Sequence, residues 1–230
     1  MPLTIRMICL ANSRKIRERC IAGIDVNTGE WVRPVRDNGG ALTFSDIKYR
    51  DGSIPRVLDI IDVPVLERQP LYYQPENWVI DSDYHWDKVD QLPVNQLFSY
   101  CENKPYIFDS KNDRLSEYEA KNMPDPRSLI LIMVKDVCFE KRWPVVGQYP
   151  QLRAKFEYNR TFYDLAVTDL SLENKFKGGG VGIGEYPKKG NFLLTISLGE
   201  LLESNRCHFK LVASAICLDQ TNSKILDIGP

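Results

Sequence analysis

A hairpin signal near the N-terminus constrains the fold more than any other stretch of the sequence. The apolar run at residues 20–26 ends at Asn27-Thr28-Gly29, and a second segment with apolar residues follows at residues 31–35. Two such segments joined by a short Asn/Gly link are typical of a β-hairpin. Trp31 and Arg33 lie two residues apart on the return strand, so both side chains occupy one face.

An indole beside a guanidinium on an exposed sheet face could stack a base and hold a phosphate. The alternative is structural: Trp31 would fill the core and Arg33 would be a solvated charge at the rim. The hairpin alone leaves both interpretations open, and it predicts the architecture more securely than the function.

Length and composition are those of a globular protein. The chain has 230 residues, 43% hydrophobic and 27% charged, which is enough for one large domain or two small ones. It contains no run of about 18 apolar residues, and its first residues lack a signal-peptide pattern. Six cysteines form no Cys-x-x-Cys pair, which favours buried reduced thiols over a zinc site. We expect a cytoplasmic protein without a membrane partner.

Charge is unevenly distributed along the chain. Lys and Arg outnumber Asp and Glu by 10 to 6 in residues 1–56 and by 6 to 3 in residues 135–160. The ratio is 7 to 14 in residues 57–134 and 7 to 8 in residues 161–230. A nearly neutral protein with charge segregated in this way can still present a basic groove.

The densest cationic segment lies just before the hairpin. Asn12, Arg14 and Lys15 are followed closely by Arg17 and Arg19. Lys and Arg supply charge while Asn supplies directional hydrogen bonds, so this segment could contact nucleic-acid phosphates. The alternative is a solvated loop.

A second hairpin is predicted at residues 153–158 and 161–168, with Asn159-Arg160 as its turn. Strand periodicity places Arg153 and Lys155 on one face and Phe156 and Tyr158 on the other.

Helical signals are short. Residues 169–176 predict a helix capped by Thr168 or Asp169, and apolar spacing in residues 87–102 predicts a short helix interrupted near Pro93. The glycine-rich stretch at residues 178–184 matches no phosphate-loop spacing; it would be a flexible loop or a mobile nucleic-acid clamp.

The elements add up to about nine or ten strands and two or three short helices. An irregular, proline-bearing region at residues 102–127 separates two groups of strands, each with a hairpin. This pattern fits two small β-barrels better than one sandwich. Strands do not alternate regularly with helices, which speaks against a Rossmann or TIM fold. We therefore predict a mainly β protein with domains at residues 1–125 and 126–230.

Seven motifs resemble the bacterial dual OB domain family. They lie at residues 9–14, 20–25, 28–35, 72–77, 163–169, 197–200 and 209–213. The resemblance covers nearly the whole chain and implies two tandem OB-like barrels. It also implies a nucleic-acid-binding role, with a place in bacterial defence against phage.

On this basis we predict a non-catalytic module that binds or senses single-stranded RNA or DNA, with no cofactor and no metal. OB barrels bind single strands across an exposed sheet face and its loops. The predicted contact residues are Asn12, Arg14, Lys15, Trp31, Arg33, Arg153, Lys155 and Tyr158.

Two other function classes remain open. A pocket between the barrels could bind a nucleotide or a protein partner, as in a sensor or adaptor. Alternatively, Asp164, Asp169 and Glu200 could gather around Mg²⁺ with His208 as a base, as in a nuclease or nucleotide hydrolase. Whether the chain is an enzyme stays open, although the residues favour a binding module.

Overall fold

The fold is described from a computed structural model covering residues 3–15, 18–144, 149–178 and 182–218. Arg17 of the cationic segment and residues 179–181 of the glycine-rich stretch lie outside the described residues, so the predictions for them stay predictions.

The first six strands form a closed barrel with one added strand. Their bounds are β1 Leu3–Lys15, β2 Glu18–Asp25, β3 Trp31–Val35, β4 Asp59–Arg68, β5 Asn77–Ile80 and β6 Asp87–Gln91. The strand order is β1-β2-β3-β5-β4, and a β1–β4 pairing closes the ring while β6 adds to β4. The β3–β5 pair is parallel and the other pairs are antiparallel, which is a five-stranded Greek-key barrel of the OB type.

The predicted first hairpin is confirmed as β2 and β3. Its link turns through Gly29, whose φ of +74° is a conformation that glycine adopts readily, and Asn27 N–H donates to the Asp25 carboxylate at 2.8 Å. On β2, Gly23 lies so close to β1 that a Cβ atom would be 2.1 Å from the Ile8 carbonyl oxygen. This glycine therefore permits the close approach of the two strands.

The second barrel repeats the same strand order. Its strands are β7 Arg114–Ser116, β8 Leu129–Arg142, β9 Gln151–Tyr158, β10 Thr161–Val167, β11 Gly184–Leu202 and β12 Cys207–Leu218. The ring runs β8-β9-β10-β12-β11 and closes by the β8–β11 pairing, with β10–β12 as its parallel pair. The prediction of two tandem OB-like barrels is thus confirmed.

One short strand on the N-terminal side of the predicted domain boundary belongs to the second sheet. The short strand β7 precedes the predicted boundary at residues 125/126 but pairs with β12 of the second sheet. The boundary itself stays a prediction.

Two short α-helices accompany the second barrel. Helix α1, Glu117–Lys121, begins at a capping box in which Ser116 and Glu119 bond reciprocally. Helix α2, Leu170–Gly178, follows Asp169, whose carboxylate accepts the N–H groups of Ser171 and Leu172. In the described part of the chain, no helix has the length and hydropathy needed to span a bilayer.

The helix predicted in residues 87–102 is wrong in its first part. Residues Asp87–Gln91 form β6, because their backbone pairs with the edge of β4. A 3-10 helix, Val94–Tyr100, begins only after Pro93 and buries Val94 and Leu97. The apolar spacing fits a helix equally well, and only the neighbouring strand decides for β6.

The two barrels pack face to face. Ile8, Leu10 and Ile24 on the outer face of the first barrel join one apolar cluster with residues of β8, β11 and β12, among them Leu131, Leu193 and Ile216. Direct bonds cross the same boundary: Thr195 Oγ1 donates to the Leu10 carbonyl at 2.8 Å, and Arg14 N–H donates to the Thr168 carbonyl at 2.8 Å. The outer face of β1 to β3 is therefore covered by the second barrel.

Candidate nucleic-acid interface

The first barrel buries the face that the sequence places in the predicted binding site. Arg33 is only 2% exposed, and Trp31 packs between the barrels against two apolar clusters. The expectation of an exposed face for these two residues is wrong, because β3 lies under the second barrel. Whether either residue contacts nucleic acid stays a prediction.

The Arg33 guanidinium meets uncharged partners. Nη1 donates to Cys20 Sγ at 2.8 Å, and Nη2 donates to Ser128 Oγ at 2.9 Å and Ser197 Oγ at 3.3 Å. Ser128 Oγ in turn donates to the buried Glu76 carboxylate at 2.8 Å. Arg33 therefore ties β3 of the first barrel to β11 and the start of β8 in the second.

Two residues of the cationic segment form ion pairs with the second barrel. Arg14 bonds Glu173 of α2, and Lys15 Nζ lies 2.8 Å from Glu200 Oε1 of β11. Asn12 is held by its own barrel, because Nδ2 donates to the Pro55 carbonyl at 2.8 Å. Arg14, Lys15 and Arg33 line one cleft at the barrel boundary, and Asn12 does not.

The second-barrel residues of the predicted site divide between the two faces of β9, as the periodicity indicates. Arg153 and Lys155 point outward, whereas Tyr158 is buried in the barrel core. The Tyr158 hydroxyl donates to the Glu102 carbonyl at 3.1 Å. Its ring is therefore not available as an exposed stacking surface, because the inward face of the strand holds it.

Outward side chains of β8, β9 and β10 form a ladder of ion pairs. Arg142 and Arg153 both bond the Asp164 carboxylate, at 2.8 and 2.5 Å. Burial alone would raise the pKa of Asp164, but the hydrogen bonds and charges of Arg153 and Arg142 outweigh it and hold that pKa below its usual range.

Lys155 carries the ladder to β11. Its Nζ lies 3.3 Å from Glu140 and 2.6 Å from Glu185. The hydrogen bond to Glu185 is the main reason that the pKa of Lys155 is raised. Both predicted cations of β9 are thus partly neutralised by carboxylates.

Three exposed aromatic side chains lie at the two ends of this ladder. Trp143 and Tyr149 lie in the β8–β9 connection and are 61% and 79% exposed, and Phe162 near the start of β10 is 67% exposed. Exposed rings at both ends of one sheet face that also carries cations give a surface able to stack bases. Sequence reasoning missed them; the available signal was their position beside strand ends rather than inside apolar runs.

The carboxylates considered for a nuclease do not gather. Asp164 bonds arginines, Asp169 caps α2 and accepts Ala215 N–H, and Glu200 pairs with Lys15. Burial raises the pKa of Asp169 despite its three backbone donors. Among the residues that the structure describes, no group of three or more His, Cys, Asp or Glu side chains could hold a metal ion.

His208, the candidate base, is fully buried. Nδ1 lies 2.9 Å from the Gly199 carbonyl oxygen and Nε2 lies 3.0 Å from the Tyr72 hydroxyl. The Tyr73 ring stacks on the imidazole with centroids 4.9 Å apart. Both ring nitrogens thus have partners, and these contacts join the β4–β5 connection of the first barrel to β12.

The family comparison matches the chain as a whole. The profile of the dual OB-containing domain matches residues 5–215. The chain belongs to this family. This dual OB-containing domain has the two Greek-key barrels that the family description requires, and the resemblance found in the sequence is confirmed.

Comparison with solved structures adds a distant similarity. A chain described as the crystal structure of the tetrameric p202 HIN2 is 10% identical, with 95% of this chain and 96% of that chain covered and a TM-score of 0.29. Comparison with curated proteins gave no match.

Proposed function

We propose that this dual OB-containing domain binds single-stranded nucleic acid on the outer face of β9 and β10. The observation that carries the proposal is the set of three exposed aromatic rings, Trp143, Tyr149 and Phe162, at the two ends of the strands that carry the outward cations of the second barrel. In OB folds, ligands use the face of the second and third barrel strands together with the loop after the first strand. In this barrel those parts are β9, β10 and the β8–β9 connection.

The corresponding face of the first barrel is covered, which supports placing the strand on the second barrel. Its second and third strands, β2 and β3, are covered by the second barrel, and Arg33 at their centre is buried. A strand of nucleic acid could lie across that face only if the barrels separated. Of the predicted contact residues, Arg153 and Lys155 therefore remain on the proposed surface, joined by Arg142.

Stacking supplies most of the affinity in this proposal. Each outward cation is already paired with a carboxylate, so a phosphate must compete with Asp164, Glu140 or Glu185 for it. Few counterions are then released on binding, and the affinity should fall only shallowly with salt. Base stacking is tolerant of sequence, so we expect little preference among unstructured strands.

The test is fluorescence anisotropy with labelled single-stranded DNA, single-stranded RNA and duplex of one length. Tyr149→Ala and Phe162→Ala should each weaken single-strand binding by about 1 to 3 kcal/mol, the usual value of one stacked base. Tyr118→Ala is the matched control, since Tyr118 is 77% exposed but lies on α1. Equal affinity for all three variants, or no single-strand binding by the parent chain, would contradict the proposal.

A charge variant tests the role of the ladder. Glu185 is exposed and bonds Lys155 at 2.6 Å, so Glu185→Gln should remove the charge of the nearer of its two carboxylate partners and leave Lys155 more available to phosphate. We expect tighter binding with a steeper salt dependence. The control is Glu203→Gln, because Glu203 is also exposed but bonds Arg206 in the β11–β12 connection.

The role in bacterial defence against phage is proposed from the family resemblance alone. It predicts that a bacterial host expressing the chain resists phage plating, and that Phe162→Ala reduces resistance as it reduces strand binding. Resistance that survives the loss of strand binding would separate the two proposals.

A further inference from the structure

A small cleft at the barrel boundary is distinct from the β9–β10 face. It has a volume of about 110 Å³ and is lined from both barrels. Four cationic side chains, Arg14, Lys15, Arg19 and Arg33, face it together with one carboxylate, Glu200. With Glu173 and Glu76 counted beside Glu200, the cleft still has four cations against three carboxylates, whereas the ladder on the second barrel has three of each. The cleft therefore favours an anion.

Arg33 is the decisive residue because, among the described residues, no carboxylate contacts its buried guanidinium directly; the buried Glu76 carboxylate is linked to it through Ser128 Oγ. Its guanidinium bonds a thiol and two hydroxyls, and within the described part of the chain it forms no ion pair. Its Nε is buried and finds no hydrogen-bond partner among the residues that the structure describes. A buried cation is costly unless a hydrogen-bonded anion accompanies it, so this arrangement is poised to accept one.

Three further cations lie at the rim of the cleft, and they differ in whether a carboxylate already pairs with them. Arg14 and Lys15 are paired with Glu173 and Glu200. For Arg19, among the residues described, no side-chain partner is found, although its backbone pairs with Leu42. Arg19 can therefore contact an incoming anion without first breaking an ion pair.

Size and donor type limit the ligand. Sites for drug-sized molecules usually measure about 300 to 1,000 Å³, so this cleft can enclose only a small group. Arginine forks match the oxygens of a phosphate. We propose that the cleft binds a terminal phosphate, which either a free nucleotide or the phosphorylated end of a strand could supply, with the rest of the ligand outside.

Glu200 would act as a competitor in this site. Its carboxylate bonds Lys15 at 2.8 Å and is half exposed. A phosphate that enters the cleft must share Lys15 with this carboxylate and is repelled by it. Removing the charge of Glu200 should therefore tighten phosphate binding, which distinguishes a phosphate site from a merely structural cluster.

The first experiment is isothermal titration calorimetry of the full chain with pyrophosphate, followed by ATP. We expect binding of pyrophosphate that weakens at least tenfold in Arg19→Gln and Arg33→Gln and tightens in Glu200→Gln. Arg50→Gln is the control, since Arg50 is exposed and pairs with Asp87 away from the cleft. If Arg33→Gln does not fold, Arg19→Gln and Lys15→Gln still decide the outcome. Absent binding, or binding unchanged in the cleft variants, would overturn the proposal.

Two further arms identify the source of the phosphate. Tighter binding of a 5′-phosphorylated decamer than of its 5′-hydroxyl form, lost in Arg19→Gln, would assign the end of a strand; ATP binding without that difference would assign a free nucleotide. The site does not rest on the proposed strand binding. Phe162→Ala should leave pyrophosphate binding intact, and Arg19→Gln should leave binding of the 5′-hydroxyl decamer intact.

Discussion

Arg14 on β1 and Glu173 on α2 form a two-point ion pair that joins the barrels. Arg14 Nε lies 3.0 Å from Oε2, and Nη2 lies 2.9 Å from Oε1. Glu173 is largely buried while Arg14 is nearly half exposed. Two parallel bonds to one carboxylate fix orientation as well as distance, so this pair sets how the rim of the cleft meets the second barrel.

The pair should show a measurable coupling energy. In a double-mutant cycle of Arg14→Ala and Glu173→Ala, we expect about 1 kcal/mol from urea denaturation, because the pair is bidentate and partly shielded from water. The control is the exposed pair of Arg50 and Asp87, which both belong to the first barrel, and it should couple more weakly. Equal coupling in both pairs would mean that the barrel boundary adds nothing to the ion pair.

Trp31 and Tyr158 should affect stability rather than strand binding. Trp31→Ala removes an indole packed between the barrels and should cost about 3 kcal/mol. Tyr158→Phe removes one hydrogen bond to the Glu102 carbonyl and should cost about 1 kcal/mol. Denaturation and anisotropy on the same samples check both values. Unchanged stability with lost strand affinity in Trp31→Ala would place nucleic acid on the first barrel.

Lys210 should make stability depend on pH. Its side chain is buried on β12, and burial lowers its pKa to about 7 against the partial compensation of Asp113, Glu119 and Asp109. Between about pH 7 and the usual lysine pKa near 10, the unfolded state binds more protons than the folded state. Stability from this group therefore rises with pH through that window.

The matched variant for this prediction is Lys210→Met. It should be more stable than the parent chain near pH 6, by on the order of a few kcal/mol, and the difference should shrink toward pH 10. Subtracting the two pH profiles removes the contributions of other groups, including the buried thiol of Cys9, whose pKa is raised to about 12. A difference that does not change with pH would show that Lys210 stays charged in the folded state.

Two glycines are required for different reasons: one allows two strands to approach closely, and the other adopts a positive φ. Gly23→Ala would place a Cβ atom 2.1 Å from the Ile8 carbonyl oxygen, so we expect a loss of at least about 2 kcal/mol. In Gly29→Ala the added Cβ meets no atom of the described residues within 4 Å, but φ stays positive, so we expect a loss of about 1 kcal/mol. Thermal unfolding of both variants checks this order, and the reverse order would contradict the β1–β2 spacing.

Local chemistry made the elements of the fold predictable. Asn27 to Gly29 and the Asn159-Arg160 turn each join two apolar segments, and both hairpins are present. Both turn residues of the second hairpin have positive φ, as its tight geometry requires. Asp169 precedes an apolar helical pattern and caps α2. In each case residues close in the sequence determine the structure.

Burial of the outer faces could not be predicted in the same way. An outward apolar residue such as Ile24 is buried in a cluster that includes residues of the second barrel such as Leu193, 169 positions later. Alternation places Trp31 and Arg33 on one face but does not say what lies against that face. Likewise, the ion pairs of Arg153 and Lys155 depend on residues of β8, β10 and β11, which no local pattern brings together.

The covered face of the first barrel also limits where the chain can be divided into stable fragments. A truncation after β6 would expose Ile8, Leu10 and Ile24, and a fragment starting at β7 would expose Leu131, Leu193 and Ile216. Fragments with such apolar strips associate with themselves or precipitate. The two barrels therefore depend on each other. A barrel introduced by recombination must present an apolar face that matches the one on the barrel that remains.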